Sequence, residues 1–168
     1  MNTGTMSTNS FTITEGRAID LVEISKIWKQ VIETHAEFDI TFTLDKEGIS
    51  NFQLMIAKAL TDPQQVLYVA RKGTEIIGFL YGFTKKYYGI FQTRLTAHVS
   101  DLAIKKEYRR NKIGSILMAT FEKEFAKSQN VDDISLNVHI QNQQGLTFYD
   151  KLGYEKSLVT MRKRLRND

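Results

Sequence analysis

A chain of 168 residues with 42% hydrophobic and 25% charged side chains has the composition of a globular protein that can close one sizeable core. It holds no apolar run near the ~20 residues a membrane helix needs, and it lacks cysteine, which excludes disulfides, a thiol nucleophile and zinc sites built on thiolates. A net charge of +4 leaves nucleic acid or a small anionic cofactor as partners, and the basic residues decide between them: they gather at 105–112 and 162–166 with no periodic basic helix face, so nucleic acid is not expected.

The opening MNTGTMSTNS is polar and lacks the apolar core of an export signal, so residues 1–10 read as a frayed tail before a single domain over 11–168. No membrane partner is expected, and the setting expected is cytoplasmic. Residues 11–14 alternate as a short strand before Gly16. Leu21, Ile24, Trp28, Val31, Ile32 and His35 recur at three- and four-residue steps and predict a helix over 18–35. A second helix is predicted from Asp45 as N-cap, through Phe52, Met55, Ile56, Ala59 and Leu60, to a stop at Asp62 and Pro63. Strands follow at 66–72 and 75–86, and Gly73 and Thr74 between them are short enough to imply an antiparallel hairpin. An aromatic segment, 86–95, leads to a third strand of this meander at 96–104. Ile113, Ile116, Leu117, Thr120, Phe121 and Phe125 then predict a helix to about residue 127, and residues 134–140 alternate as a strand. Strand, helix, strand in that order implies a parallel pair. Asn142 is placed to cap a helix carrying Leu146, Phe148, Tyr149 and Leu152, which Gly153 stops, and 154–165 reads as a last strand. The sum is an α/β fold: a mixed, mostly antiparallel central sheet with helices on both faces.

The chain is organised around residues 98–115, HVSDLAIKKEYRRNKIGS, where an apolar strand passes through a basic turn into a helix. The first N–H groups of a helix have no intrahelical partner and carry the positive end of its dipole, so amides from Arg110 to Ser115 can cradle an anion. Arg109, Arg110 and Lys112 add charge, and Gly114 lets a phosphate approach the backbone. These residues suggest a pyrophosphate seat.

Arg109, Arg110, Asn111, Lys112, Ile113 and Gly114 resemble the Q/R-x-x-G-x-G/A turn of the GCN5-related N-acetyltransferases (GNAT family), with Lys112 standing where the family has its first Gly. Downstream, Asn142, Gly145, Tyr149, Gly153 and Tyr154 resemble the family's N-x-x-A-x-x-x-Y-x-x-x-G-F segment. The resemblance spans about 66–165 and implies the family's fold and acetyl transfer from acetyl-CoA to a primary amine; no metal is expected, since His35 and His139 do not combine with acidic residues at metal-ligand spacing. The resemblance also implies that Arg109, Arg110, Asn111, Lys112, Ile113, Gly114 and Ser115 bind the pyrophosphate. By the same resemblance, backbone groups of Leu102, Ala103 and Ile104 pair with pantetheine like an added strand, and Asn142 and Tyr149 contact the cofactor. A helix cap would explain Asn142 equally well.

Tyr149 matches the family's Tyr, and a phenol with a reference pKa near ~10 can donate a proton to a leaving thiolate. His98, with a reference pKa near ~6.5, stands five residues before Ala103, where some members of the family carry a base. Ser100 would share its face of a regular strand and could relay through water, while Asp101 would point to the other face and ranks below His98 as a base; water alone is the remaining alternative. The connector 35–44, with Phe38, Phe42, Glu37 and Asp39, occupies the position of the family's amine-binding loop, or tucks onto the core. Tyr87, Tyr88 and Phe91 line either the acceptor pocket or a homodimer contact. The acceptor stays open: a small amine, an aminoglycoside or polyamine, an amino acid, a protein N-terminus or a lysine. A second class of function, a CoA-binding regulatory module that has lost turnover, is motivated by Lys112 and by the open identity of the base.

Overall fold

Strands at Thr12–Glu15 (β1), Gln65–Lys72 (β2), Glu75–Tyr87 (β3), Arg94–Ile104 (β4) and Asp133–Leu136 (β5) form one sheet in the order β1-β2-β3-β4-β5. This computed structural model describes residues 10–87, 94–163 and 165, without the side chain of Phe38. All neighbouring pairs are antiparallel except β4 and β5, which run parallel, as a strand-helix-strand order requires. Helices lie at Leu21–Phe38 (α1), Gly48–Ala57 (α2), Ile113–Thr120 (α3) and Gln143–Lys151 (α4). Most of residues 1–10, together with Tyr88 and Phe91, lie outside the described residues.

Packing divides the chain into two units, Met1–Asn137 and Val138–Asp168. The first holds the whole sheet with α1, α2 and α3. Its larger core joins Ile24 and Ile27 of α1 and Phe52 and Ile56 of α2 to Leu67, Val69, Phe79, Tyr81 and Ala103 on one sheet face. Each of the Val, Leu, Ile and Phe side chains among these contributes about 1.5–3 kcal/mol on burial. The Trp28 ring stacks on Phe52 at a centroid distance of 4.0 Å, so the indole belongs to this core as its spacing predicts. Asp20, buried beside α1, is held by the Arg71 guanidinium and the Arg17 N–H. On the opposite face Phe121 lies against Gly82, where an added Cβ would fall 2.5 Å from the ring and 2.8 Å from the His98 carbonyl oxygen. Helices therefore cover both faces.

Three elements depart from expectation. Asp45 does not cap α2: its carboxylate is taken by the N–H of Lys46 and its carbonyl by Gly48, so it makes a turn and the helix starts at Gly48. The helix after the basic turn changes at Phe121–Ala126 to π-type bonding. The last predicted strand is not formed: residues 154–163 are without regular structure, and 155–163 are exposed. Alternation supplies the side chains of a strand, but its N–H and C=O groups need an edge to pair with. α4 is the one regular element described in that unit. For the same reason β5 stops at Leu136, short of 140.

Candidate acetyl-transfer site

β4 leaves its ladder with β5 at Val99, while its partnership with β3 continues to Ile104. Leu102, Ala103 and Ile104 thus pair on the β3 side alone among the described residues, and a strand edge is open to an extended ligand there. Ala103 is buried and its two neighbours are half-buried.

The decisive local feature is a bulge. Tyr81 of β3 pairs with Asp101 and the next residue, Gly82, pairs with Val99, which leaves Ser100 as an extra residue in β4. An inserted residue reverses the side-chain alternation beyond it. Asp101 consequently joins His98 on the face that carries Tyr81 and Phe83, which corrects the regular-strand expectation that paired Ser100 with His98. The Trp28 indole N–H donates to Asp101 Oδ1 at 2.9 Å and the Ser100 hydroxyl donates to Oδ2 at 2.6 Å. Burial pushes the Asp101 carboxyl above its ordinary value, against the Ser100 and Trp28 hydrogen bonds and the His35 charge, which pull the other way. Spacing alone ranks Asp101 below His98, because nothing in the sequence marks the extra Ser100.

His98 stands two paired positions along the same face. Its Nδ1 lies 2.9 Å from Ser135 Oγ on β5, and its ring packs against Phe83 with centroids 5.3 Å apart. Burial first, and the Lys85 charge second, hold its pKa below the ordinary value, so the imidazole is neutral near neutral pH. His35, at the end of α1, meets Phe42 edge to face at 5.5 Å, which ties the connector back to the helix. Asp39 accepts from the Thr41 N–H at 3.0 Å, while Glu37 is exposed.

Beyond β4, a short 3-10 turn at Lys106–Tyr108 leads into the basic turn. Arg110 and Lys112 both adopt left-handed backbone, with φ of 64° and 62°. Lys112, which stands in the place of the family's Gly, thus takes the conformation glycine would allow and bears the strain. The turn keeps its shape through side chains: Asn111 Nδ2 donates to the Tyr108 and Arg109 carbonyls at 3.1 and 3.3 Å, and Arg109 Nε donates to the Ile104 carbonyl at 3.1 Å. Ile113 is buried and anchors the first turn of α3, where Gly114 and Ser115 follow. Backbone turned back on itself between cationic side chains, ahead of a helix N-terminus, fits a diphosphate.

In the second unit Asn142 does cap α4, its Oδ1 accepting from the Gly145 N–H at 2.9 Å. A Cβ on Gly145 would come within 2.7 Å of Asn142 Nδ2, so the small residue there is required by the cap. Tyr149 is half-buried on α4, edge to face with Phe148 and Tyr154 at 5.0 and 5.8 Å. Among the described residues no cluster of three His, Asp or Glu is placed to hold a metal, and no helix is long and apolar enough to cross a membrane.

An open strand edge beyond a parallel splay, followed by a cationic turn and a helix N-terminus, is an arrangement that suits an extended, diphosphate-bearing ligand. The profile of the Acetyltransferase (GNAT) family matches residues 27–154, and the chain belongs to that family. It is an N-acetyltransferase, and the family's acetyl donor is acetyl-CoA. An N-alpha-acetyltransferase of Saccharolobus solfataricus is 26% identical over 153 residues, covering 89% of this chain and 83% of the relative. One of the same name from Sulfurisphaera tokodaii is 26% identical over 106 residues, 60% of this chain and 62% of that one. Among solved structures, a Bacillus halodurans protein superposes with a TM-score of 0.80 at 24% identity, over 92% of this chain and 99% of its own. The aminoglycoside N-acetyltransferase AAC(6')-Iy in complex with CoA shares the fold with a TM-score of 0.73 at 13% identity, over 94% and 96%.

Proposed function

We propose that this N-acetyltransferase acts on an α-amino group, the N-terminus of a peptide or protein, with Asp101 receiving the proton of the acceptor ammonium. The observation that carries the reading is the β4 bulge, which puts a carboxylate with a raised pKa on the α1 face beside His98. Reference values favour the α-amine. An α-ammonium lies about 4 pKa units above an aspartate and a lysine ammonium about 6.5, so proton transfer to Asp101 is easier by about 2.5 units, or about 3.4 kcal/mol, for the α-amine. The names of the two N-alpha-acetyltransferase relatives agree with that acceptor.

Acetyl-CoA supplies an activated acetyl thioester. Arg109, Arg110, Asn111, Lys112, Ile113, Gly114 and Ser115 hold its pyrophosphate, and backbone groups of Leu102, Ala103 and Ile104 orient its arm. Asn142 uses Oδ1 for its own helix, and its Nδ2 is the group left to donate to the arm. Tyr149 keeps a proton at its hydroxyl for the departing sulfur. His98, neutral and oriented by Ser135, is the competing base. The whole of 11–168 acts as one catalytic domain in the cytoplasm.

The test pairs two peptides with acetyl-CoA: one with a free N-terminus and no lysine, the other N-terminally blocked with one lysine. Product on the first and little on the second is expected; equal rates on both overturn the choice of acceptor. Asp101→Asn keeps an oxygen for Trp28 and should lower kcat by at least about 100-fold, the size of a general-base contribution. Full activity in that variant, with loss in His98→Ala, moves the base to His98.

A further inference from the structure

The turn that takes the pyrophosphate contains two left-handed non-glycine residues, and such backbone persists only where its surroundings hold it. Part of that hold comes from outside the turn. Glu75, the first residue of β3, accepts from Lys105 Nζ on Oε1 at 3.0 Å and from the Tyr108 hydroxyl on Oε2 at 2.7 Å. One carboxylate therefore spans the 3-10 turn at Lys106–Tyr108 and grips the residue before it and its last residue. Lys105, with a side chain only 16% exposed, also meets Glu23 of α1 at 3.2 Å. Lys72, at the end of β2, stands 5.6 Å from the centre of the Tyr108 ring. The Tyr108 carbonyl then receives Asn111, and the bracing reaches the residue between Arg110 and Lys112.

We propose that Glu75 is a positioning residue for the cofactor turn, acting through Lys105 and Tyr108 to hold Arg110 and Lys112 in the backbone shape that receives the pyrophosphate. The inference rests on the reading of residues 109–115 as the CoA seat, and it adds the β2–β3 hairpin tip to the parts that set donor affinity. Charge and positioning act in opposite directions at Glu75. A carboxylate near an anion seat repels the ligand, so removing its charge while leaving the turn intact would tighten CoA binding. Positioning predicts the opposite.

Calorimetric titration of CoA into the full chain, well below the melting temperature, separates these. Glu75→Gln should weaken binding by about tenfold and Tyr108→Phe by about fivefold, a loss on the scale of one or two charge-assisted hydrogen bonds. Tyr108→Phe keeps the ring under Lys72 and guards against a folding defect in the first variant. Glu33→Gln, on the exposed side of α1, serves as a control and should bind as the parent does. Tighter or unchanged binding in both test variants overturns the inference, as does a fall in melting temperature with no change in affinity. If the unsubstituted chain fails to bind CoA, the cofactor reading falls and this inference with it; if it binds and the variants bind equally, the inference alone falls.

Discussion

Replacing Lys112 by glycine should stabilise the protein. Lys112 sits at φ 62° and ψ 4°, where its Cβ crowds the following carbonyl, at a cost of about 1–2 kcal/mol for a residue other than glycine. Glycine removes that cost but gives the unfolded chain more freedom, which takes back about 0.4–1 kcal/mol. The net gain is about 0–1.6 kcal/mol, and at about 2–4 °C per kcal/mol for a chain of this size the melting temperature should rise by up to about 6 °C. Lys112 is exposed at the N-terminus of α3, where a cation opposes the helix dipole, so part of any gain could come from lost charge. Lys112→Ala separates the two, since it deletes the charge and keeps the Cβ. Melting of the apo protein should order Gly above Ala, with Ala within about 1 °C of the parent. Equal gains in the two variants would refute the strain argument and assign the effect to charge. A loss in the glycine variant alone would mean that the turn does not hold this backbone in solution. With CoA added, both variants lose the same ammonium, so any difference in their affinities reports on the backbone.

Trp28→Phe should preserve the stack on Phe52 and remove the donor to Asp101 Oδ1. A carboxylate deprived of a donor is harder to ionise, so the acidic limb of the pH–rate profile should move to higher pH, as read from kcat/KM across pH. Asp20→Asn should cost about 3–5 kcal/mol in urea unfolding near neutral pH, because it leaves the nearly buried Arg71 guanidinium without its partner. Burial alone would raise the Asp20 carboxyl, but the Arg71 and Arg17 hydrogen bonds and the Arg71 charge outweigh it and hold it below its ordinary value of 3.8. Its contribution is therefore complete above that value and lost as pH falls through the lower folded one, and the variant should show a shallower loss of stability on acidification. Gly82→Ala should destabilise by about 1–3 kcal/mol in the same assay, since the new methyl meets both the Phe121 ring and a backbone carbonyl that cannot step aside.

Much of the first unit was legible without coordinates. The hairpin at Gly73 and the apolar face of α1 follow from contacts within a few residues, which periodicity and turn chemistry report, and so does the cap at Asn142 in the second unit; the parallel return after α3 follows from the strand-helix-strand order. The basic turn was legible in composition and in its family resemblance, but not in conformation. Whether Lys112 would accept a left-handed backbone depended on Asn111, Arg109 and the surrounding strands. The strand expected after Gly153 is not formed over 154–163 for the converse reason, because alternation records a face and says nothing about a neighbouring edge.

By itself, then, the sequence determined which segments alternate, which coil, where the cations gather and which family they belong to, because those properties are written in neighbours along the chain. Asp101 is the case that only tertiary structure could decide. Its side-chain direction turns on one unpaired residue, Ser100, and its chemistry on an indole N–H contributed from Trp28 on another element. A bulge exists only when two strands are in register against each other, and a buried carboxylate acquires its pKa only when a core closes around it.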